Sequence, residues 1–156
     1  MSVTILGLDQ EKTIKEVKEL NRLLANYQIF YQSLRGLHWN IKGKNFFELH
    51  VKFEELYLDA QDKIDLIAER ILTLQGTPIH TFEDYINESE VLAGKNINND
   101  ETAVQLIIDS IAVLLKIERT ILELSDEISD EGTNSMMSDF ISEQEKTLWM
   151  FRAWLN

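Results

Sequence analysis

The sequence predicts an all-α protein: a bundle of four long helices in which one connection crosses over. Three observations carry that prediction. A single proline, Pro78, and six glycines punctuate 156 residues otherwise rich in Leu, Ile, Glu and Lys, and such a composition is helical. Apolar residues recur at three- and four-residue spacing through four long segments, the signature of amphipathic helices. The links between the segments are short, long and short. Short links make antiparallel hairpins, and the long one lets the chain cross the bundle.

The first helix is predicted from about Asp9 to Leu37. Asp9 caps its start, and Ile14, Val17, Leu20, Leu24, Tyr27, Tyr31 and Leu34 form its core stripe. Asn40–Gly43 breaks it. The second runs from about Phe46 to Leu74, where Gly76 is expected to supply the C-cap and Pro78 to block continuation. The long connection carries a short amphipathic piece around Thr81–Asn87 and a turn-rich stretch from Ala93 to Asp100. The third helix starts at Asn99 or Asp100 and buries Val104, Ile107, Ile108, Ile111, Leu114, Leu115, Ile121 and Leu122. Asp130–Asn134 separates it from the fourth, which closes with Leu148–Leu155. There is no repeat and no low-complexity segment, so a single domain is expected over residues 1–156.

Fifteen Lys and Arg stand against 27 Asp and Glu, a formal charge of −12. A chain this acidic repels phosphate backbones unless it carries a segregated basic segment. It is either simply soluble or equipped to attract cations. The absence of cysteine excludes disulfides, thiolate metal sites and a cysteine nucleophile. With no secretory signal and no apolar run near the roughly 18 residues of a membrane span, the expected location is the cytoplasm.

The second helix has three faces where a surface helix needs two. Phe53, Leu56, Tyr57, Ala60, Ile64, Ile67, Ile71 and Leu74 form the core stripe, and Glu48, Lys52, Glu55, Asp59, Asp62, Arg70 and Thr73 form a polar flank. Between them Val51, Leu58, Ala68 and Leu72 are interspersed with His50, Glu54, Asp65 and Glu69. A second apolar stripe belongs to a helix buried against a partner.

His50 and Glu54 are four residues apart, as are Asp65 and Glu69, so each pair projects from one face of the helix. The two pairs lie roughly 16 Å apart along the axis, too far to share one metal ion. Both Glu54 with Asp65 and His50 with Glu69 average to a point between Asp59 and Ala60. Two copies packed antiparallel about a two-fold axis there bring His50 to the partner's Glu69 and Glu54 to the partner's Asp65. Isologous symmetry then makes two identical sites. An interfacial salt-bridge network is the alternative, but no Lys or Arg in the quartet neutralises its three carboxylates, and unpaired buried carboxylates are costly. A metal cation meets that need. His38, beside Trp39 at the end of the first helix, is either a further ligand or a satisfied core histidine; His80 sits in a loop and is read as plain. Carboxylate and imidazole ligands without sulfur fit ferrous iron, manganese or zinc. A di-iron site inside one bundle needs Glu-x-x-His on two helices, and this chain has no Glu-x-x-His.

Leu37-His38-Trp39-Asn40-Ile41-Lys42-Gly43, Phe46-Phe47-Glu48-Leu49-His50, Phe53-Glu54-Glu55-Leu56-Tyr57 and Asp65-Leu66-Ile67-Ala68-Glu69-Arg70-Ile71 resemble the signature of the Dps proteins, or mini-ferritins. Asp130-Glu131-Gly132-Thr133 and Glu145-Lys146-Thr147-Leu148-Trp149-Met150 resemble the family's last helix. The resemblance spans nearly the whole chain. It implies a ferritin-like fold and a dodecameric shell that oxidises Fe(II), preferentially with hydrogen peroxide, and stores ferric mineral. It implies His38, His50 and Glu54 as iron ligands from one subunit and Asp65 and Glu69 from its two-fold partner, with Glu54 standing where the family often has Asp. Trp39 resembles the family's tryptophan beside the iron, an electron donor able to intercept a stray radical. Iron entry through acidic three-fold pores near the start of the last helix points to Asp126, Asp130, Glu131 and Asp139.

One departure matters. DNA-binding members carry a Lys-rich N-terminal tail, whereas Met1–Leu8 contains no basic residue and Lys12, Lys15 and Lys18 alternate with Glu11, Glu16 and Glu19. Direct DNA binding is therefore not expected. Two alternatives stand beside the iron reading: a DNA-compacting architectural protein with little catalytic role, and a non-catalytic helical bundle that serves only interactions.

Overall fold

The computed structural model describes residues 2–156, which form five helices: α1 (Gln10–Asn40), α2 (Phe46–Thr73), α3 (Phe82–Glu88), α4 (Asp100–Glu127) and α5 (Glu131–Leu155). α1 pairs with α2 and α4 with α5 as hairpins, α1 also packs along α4, and the short α3 of the crossover rests on α1. The four long helices close around a core that includes Leu20, Leu24, Tyr27, Leu34, Phe53, Ile67, Ile71, Ile107, Ile111, Leu114, Met137 and Phe140. No described helix is long and apolar enough to cross a membrane.

Side-chain caps place the helix starts. Asp9, Thr81, Asn99 and Asp130 each accept a hydrogen bond from the backbone N–H three residues on, satisfying donors that the first turn leaves open. Asn45, ahead of α2, spends its amide elsewhere, donating to Asp100 Oδ2 at 2.8 Å and joining the starts of α2 and α4.

The structure corrects several expectations. α1 runs three residues past Leu37, because Asn40 Nδ2 donates to Gly36 O at 2.9 Å and Ile41 N to Leu37 O at 3.0 Å. Ile14 is not in the core: it is 64% exposed, lining a groove with Val3 and Ile5 of the N-terminal turn. The left-handed residue that ends α2 is Gln75 (φ 69°), not Gly76. Gly76 N donates to Ile71 O and Gln75 N to Leu72 O, both at 2.9 Å, which is a Schellman motif. Glycine is needed at 76 because a Cβ there would stand 2.6 Å from Val17 Cγ1. Gly132 is not in a loop either; it lies in the first turn of α5, where a Cβ would meet the Arg70 guanidinium at 2.7 Å.

The crossover is fastened to α1. Buried Asn26 accepts from Glu90 N at 2.8 Å and Val91 N at 3.0 Å through Oδ1, and its amide donates to Arg22 O at 2.8 Å. Further on, Gly94 N donates to Ser33 Oγ at 3.3 Å and Lys42 N to Asn98 O at 2.9 Å.

Candidate metal centre

The α1–α2 hairpin turns at Gly43, whose φ of 112° only glycine adopts without strain. That turn sets the last turn of α1 against the first of α2, and His38 and His50 meet there. Their rings stack at 3.7 Å with an 11° interplanar angle. Phe46 covers the other face of His50 at 4.8 Å, and Tyr57 meets His38 edge-on at 5.4 Å.

The two histidines clamp each other. His38 Nδ1 lies 2.6 Å from the His50 carbonyl and His50 Nδ1 lies 2.7 Å from the His38 carbonyl. A carbonyl oxygen only accepts, so each Nδ1 carries the proton and donates it. In the neutral ring each Nε2 then keeps its lone pair, the tautomer that a metal-binding imidazole needs. Backbone thus fixes both rings in place and in protonation pattern.

Glu54 is next to this pair. Its Oε1 lies 3.9 Å from His38 Nε2, and Tyr57 OH donates to the same oxygen at 3.4 Å. His38 is buried while the Glu54 side chain is half-exposed, so the trio opens at the surface. Composition and spacing gave no sign of the Tyr57 contact beyond its position one turn after Glu54.

Asp65 and Glu69 lie further along the exposed stripe of α2 that carries Val51, Leu58 and Leu72. No Lys or Arg pairs with either among the described residues. Within one chain, and among the described residues, no three His, Asp or Glu side chains converge tightly enough to hold a metal ion. His38, His50 and Glu54 come together; Asp65 and Glu69 do not join them. Trp39 is exposed, and the Arg35 guanidinium stands over its ring at 4.9 Å. His80 is an exposed loop residue whose Nδ1 meets Pro78 O at 3.0 Å.

Of the four acidic residues assigned to a pore, Asp126, Glu131 and Asp139 are exposed. Asp130 is withdrawn from that set, because it is only 3% exposed. It caps α5 and holds Arg70 Nη2 at 2.6 Å; burial works to raise its carboxyl, but the hydrogen bonds from Thr133 and the charge of Arg70 outweigh it and hold the carboxyl below the ordinary range. Glu16, fully buried beside it, is the opposite case: burial first, and then the neighbouring Asp130, push its carboxyl up to about 9.

The model of the ferritin-like domain matches residues 17–156. The chain is 39% identical to the DNA protection during starvation protein of Porphyromonas gingivalis, covering 96% of this chain and 94% of that one. The chain belongs to the Dps family of ferritin-like proteins. Among solved Dps structures, that from Vibrio cholerae, described as a member of the ferritin-like diiron-carboxylate superfamily, is 49% identical. It superposes with a TM-score of 0.97 over 100% of this chain and 98% of its own. The Dps protein of Bacillus brevis is 33% identical, with a TM-score of 0.91 over 94% and 98% of the two chains. Against this Dps fold, the pairing of α1 with α2 that brings His38 to His50 is a feature of the hairpin itself, requiring no neighbouring subunit.

Proposed function

We propose that this Dps protein stores iron and removes its hazard by oxidising Fe(II), preferentially with hydrogen peroxide, at sites shared between two subunits of a cytoplasmic dodecameric shell. The observation that carries the reading is the reciprocal histidine clamp, which leaves two Nε2 lone pairs beside Glu54 at the edge of a half-apolar stripe. His38, His50 and Glu54 form one half-site. Asp65 and Glu69 form the other, and the antiparallel pairing of α2 about the point between Asp59 and Ala60 joins each half to its complement. Val51, Leu58 and Leu72 lie on the same stripe and are covered by that pairing.

Iron is the substrate. Two ferrous ions each give one electron to peroxide, the O–O bond breaks, and hydrolysis completes the balance. Two Fe(II), one peroxide and two waters yield two ferric oxyhydroxide units and four protons. Imidazole and carboxylate oxygen suit both the ferrous ion and the harder ferric product. The protein supplies geometry: the clamp presents fixed nitrogen donors, Tyr57 orients Glu54, and exposed Asp126, Glu131 and Asp139 offer acidic ground for arriving cations. Trp39, whose ring lies under the Arg35 guanidinium, acts on this reading as an electron donor for stray radicals.

Mixed assembly tests the shared site. His50→Ala and Asp65→Ala each suppress rapid ferrous oxidation, followed by absorbance of the ferric product, while the particle of about 218 kDa, twelve chains of 18.2 kDa, still elutes intact. Shells co-assembled from both variants regain activity, because each mixed interface rebuilds one complete site. Confirmed co-assembly without regained oxidation rejects the shared geometry.

A further inference from the structure

A second polar cluster lies in the middle of the bundle and takes no part in the site above. Lys63 points inward from α2 and is 4% exposed. Its ammonium lies 2.8 and 2.7 Å from Asp59 Oδ1 and Oδ2 and 2.8 Å from Glu143 Oε2 on α5. Nearby, Glu118 of α4 is fully buried. Its Oε2 accepts from Tyr27 OH of α1 at 3.0 Å and from Gln144 Nε2 of α5 at 2.7 Å. Glu118 Oε1 and Gln144 Oε1 are buried with no hydrogen-bond partner. A cavity of about 230 Å³ enters between α2 and α5, lined by Tyr27, Asp59, Lys63, Glu143 and Gln144 among others.

All four long helices therefore send oxygen donors to one region: Tyr27, Asp59, Glu118, and Glu143 with Gln144. Facing helices of a bundle build metal sites in this way, and carboxylate, amide and phenol oxygens suit a hard divalent cation. A cation already stands among them, and it is part of the chain. Burial works against the charge on Lys63, but its hydrogen bonds to Asp59 and Glu143 outweigh burial and hold the ammonium above its ordinary range. A divalent ion entering the cavity meets that tethered positive charge at its mouth, where the Lys63 side chain is enclosed and the Asp59 and Glu143 side chains are more than half exposed. It also finds Asp59 and Glu143 already taken.

We propose that Lys63 is a built-in cation that closes an oxygen-lined divalent-metal site in the bundle and thereby confines metal binding to the subunit interface. Lys63 is on this account a specificity-determining residue for where metal goes. Its ammonium marks the vacated position: three carboxylate oxygens already surround it, and Glu118 and Gln144 each keep a buried oxygen without a partner. The inference rests on the interface reading only for where metal binds otherwise.

Cobalt(II), whose ligand-field absorption reports its coordination, is the probe, titrated into the assembled protein. His50→Ala removes the interface site and leaves the shell without bound cobalt. Adding Lys63→Ala restores one cobalt per chain, and adding Glu118→Gln to that pair weakens it by roughly tenfold or more. Lys63→Gln serves in the same way should the alanine variant not fold. Folded double variants that take up no cobalt overturn the proposal. An independent check uses the chain with Lys63 intact, where Glu118→Gln leaves cobalt stoichiometry unchanged; a loss there overturns the proposal too. Should His50→Ala alone retain its cobalt, the interface reading fails. Glu118→Gln in that background then decides this one: retention agrees with a closed centre, and loss refutes it.

Discussion

Arg70 Nη2 stands 2.6 Å from Asp130 Oδ1, and Arg70 Nε donates to Thr133 Oγ1 at 2.9 Å. These contacts tie the last turn of α2, one residue beyond Glu69, to the first turn of α5. Asp130 also accepts from Thr133 N and Oγ1, so one buried carboxylate serves as cap and counter-ion together. Asp130→Ala strands the guanidinium and uncaps α5. A loss of about 3–5 kcal/mol is expected, read from urea unfolding at fixed protein concentration because assembly shifts apparent stability. A loss below about 1 kcal/mol contradicts this account.

Glu16 and Glu118 give stability a slope with pH. Burial raises Glu16 from an ordinary 4.5 to about 9 and Glu118 from 4.5 to about 7. Between the ordinary and the raised value the folded chain holds a proton that the unfolded chain has released, so stability falls as pH rises. The Glu118 contribution is complete by about pH 7, whereas that of Glu16 continues to about pH 9. Glu16→Gln therefore flattens the stability curve from pH 5 to 9 by up to about 1.4 kcal/mol per unit, and Glu118→Gln flattens it only below about 7. Unfolding midpoints across pH 5–9 separate the two. Parallel curves for wild type and Glu16→Gln above pH 7 count against a protonated Glu16.

Gly76→Ala sets a methyl against Val17 Cγ1 at 2.6 Å. Overpacking of this kind costs about 1–3 kcal/mol. Shortening the opposing side chain in the Gly76→Ala, Val17→Ala double variant returns part of that loss. The double-mutant cycle measures the coupling, and strictly additive changes would show that the close approach is not the cause.

Linear duplex DNA is expected to run unretarded with this protein at neutral pH and about 100 mM salt without Mg²⁺. Each chain carries a formal −12, about −144 for twelve, and the phosphate attraction behind non-specific binding becomes repulsion. Residues Ser2–Asp9 add no mobile basic arm. They form a turn in which Thr4 N donates to Leu8 O at 2.8 Å and Gln10 N to Ser2 O at 3.1 Å. DNA added with ferrous iron and peroxide should still survive, since protection then needs only removal of both reagents. Submicromolar, salt-sensitive retardation would revive the compaction alternative.

What could be read from the sequence follows physical lines. Helix starts were legible because Asp9 and Asn99 cap through side chains that favour that role. The chain break at Pro78 was legible because proline cannot continue a helix. His50, Glu54, Asp65 and Glu69 stood out because polar side chains on a half-apolar stripe break the two-faced pattern of an ordinary surface helix. The buried charges were not legible. Lys63, Glu16 and Glu118 each lie beside apolar neighbours at helical spacing, and periodicity has no means of separating a solvated charge from one paired across the bundle. Asp130 was misplaced for the same reason, since an acidic helix start looks alike whether it faces solvent or a buried arginine. Gly76 and Gly132 were read as turn residues because sequence reveals that a side chain is missing and not what occupies the space.

Asn26 and Ser33 of α1, and Lys42 just past its end, are mooring points that hold Glu90–Val91, Gly94 and Asn98 in turn. The crossover runs beside α1 in the same direction, and α1 acts as its ruler. Asn26 to Ser33 spans about 10 Å of helix at about 1.5 Å per residue, and the three steps from Val91 to Gly94 reach about 10 Å when extended. From Ser33 the helix advances about 10 Å to its last residue, Asn40, with Ile41 and Lys42 continuing past its end, and the four steps from Gly94 to Asn98 reach about 13 Å when extended. There is almost no rope to spare. Deleting one residue between Val91 and Asn98 must slip a mooring, whereas an insertion beside exposed Lys95 and left-handed Asn96 hangs outward at little cost. The segment joining the two hairpins thus tolerates lengthening and resists shortening, an asymmetry set by the pitch of its neighbour.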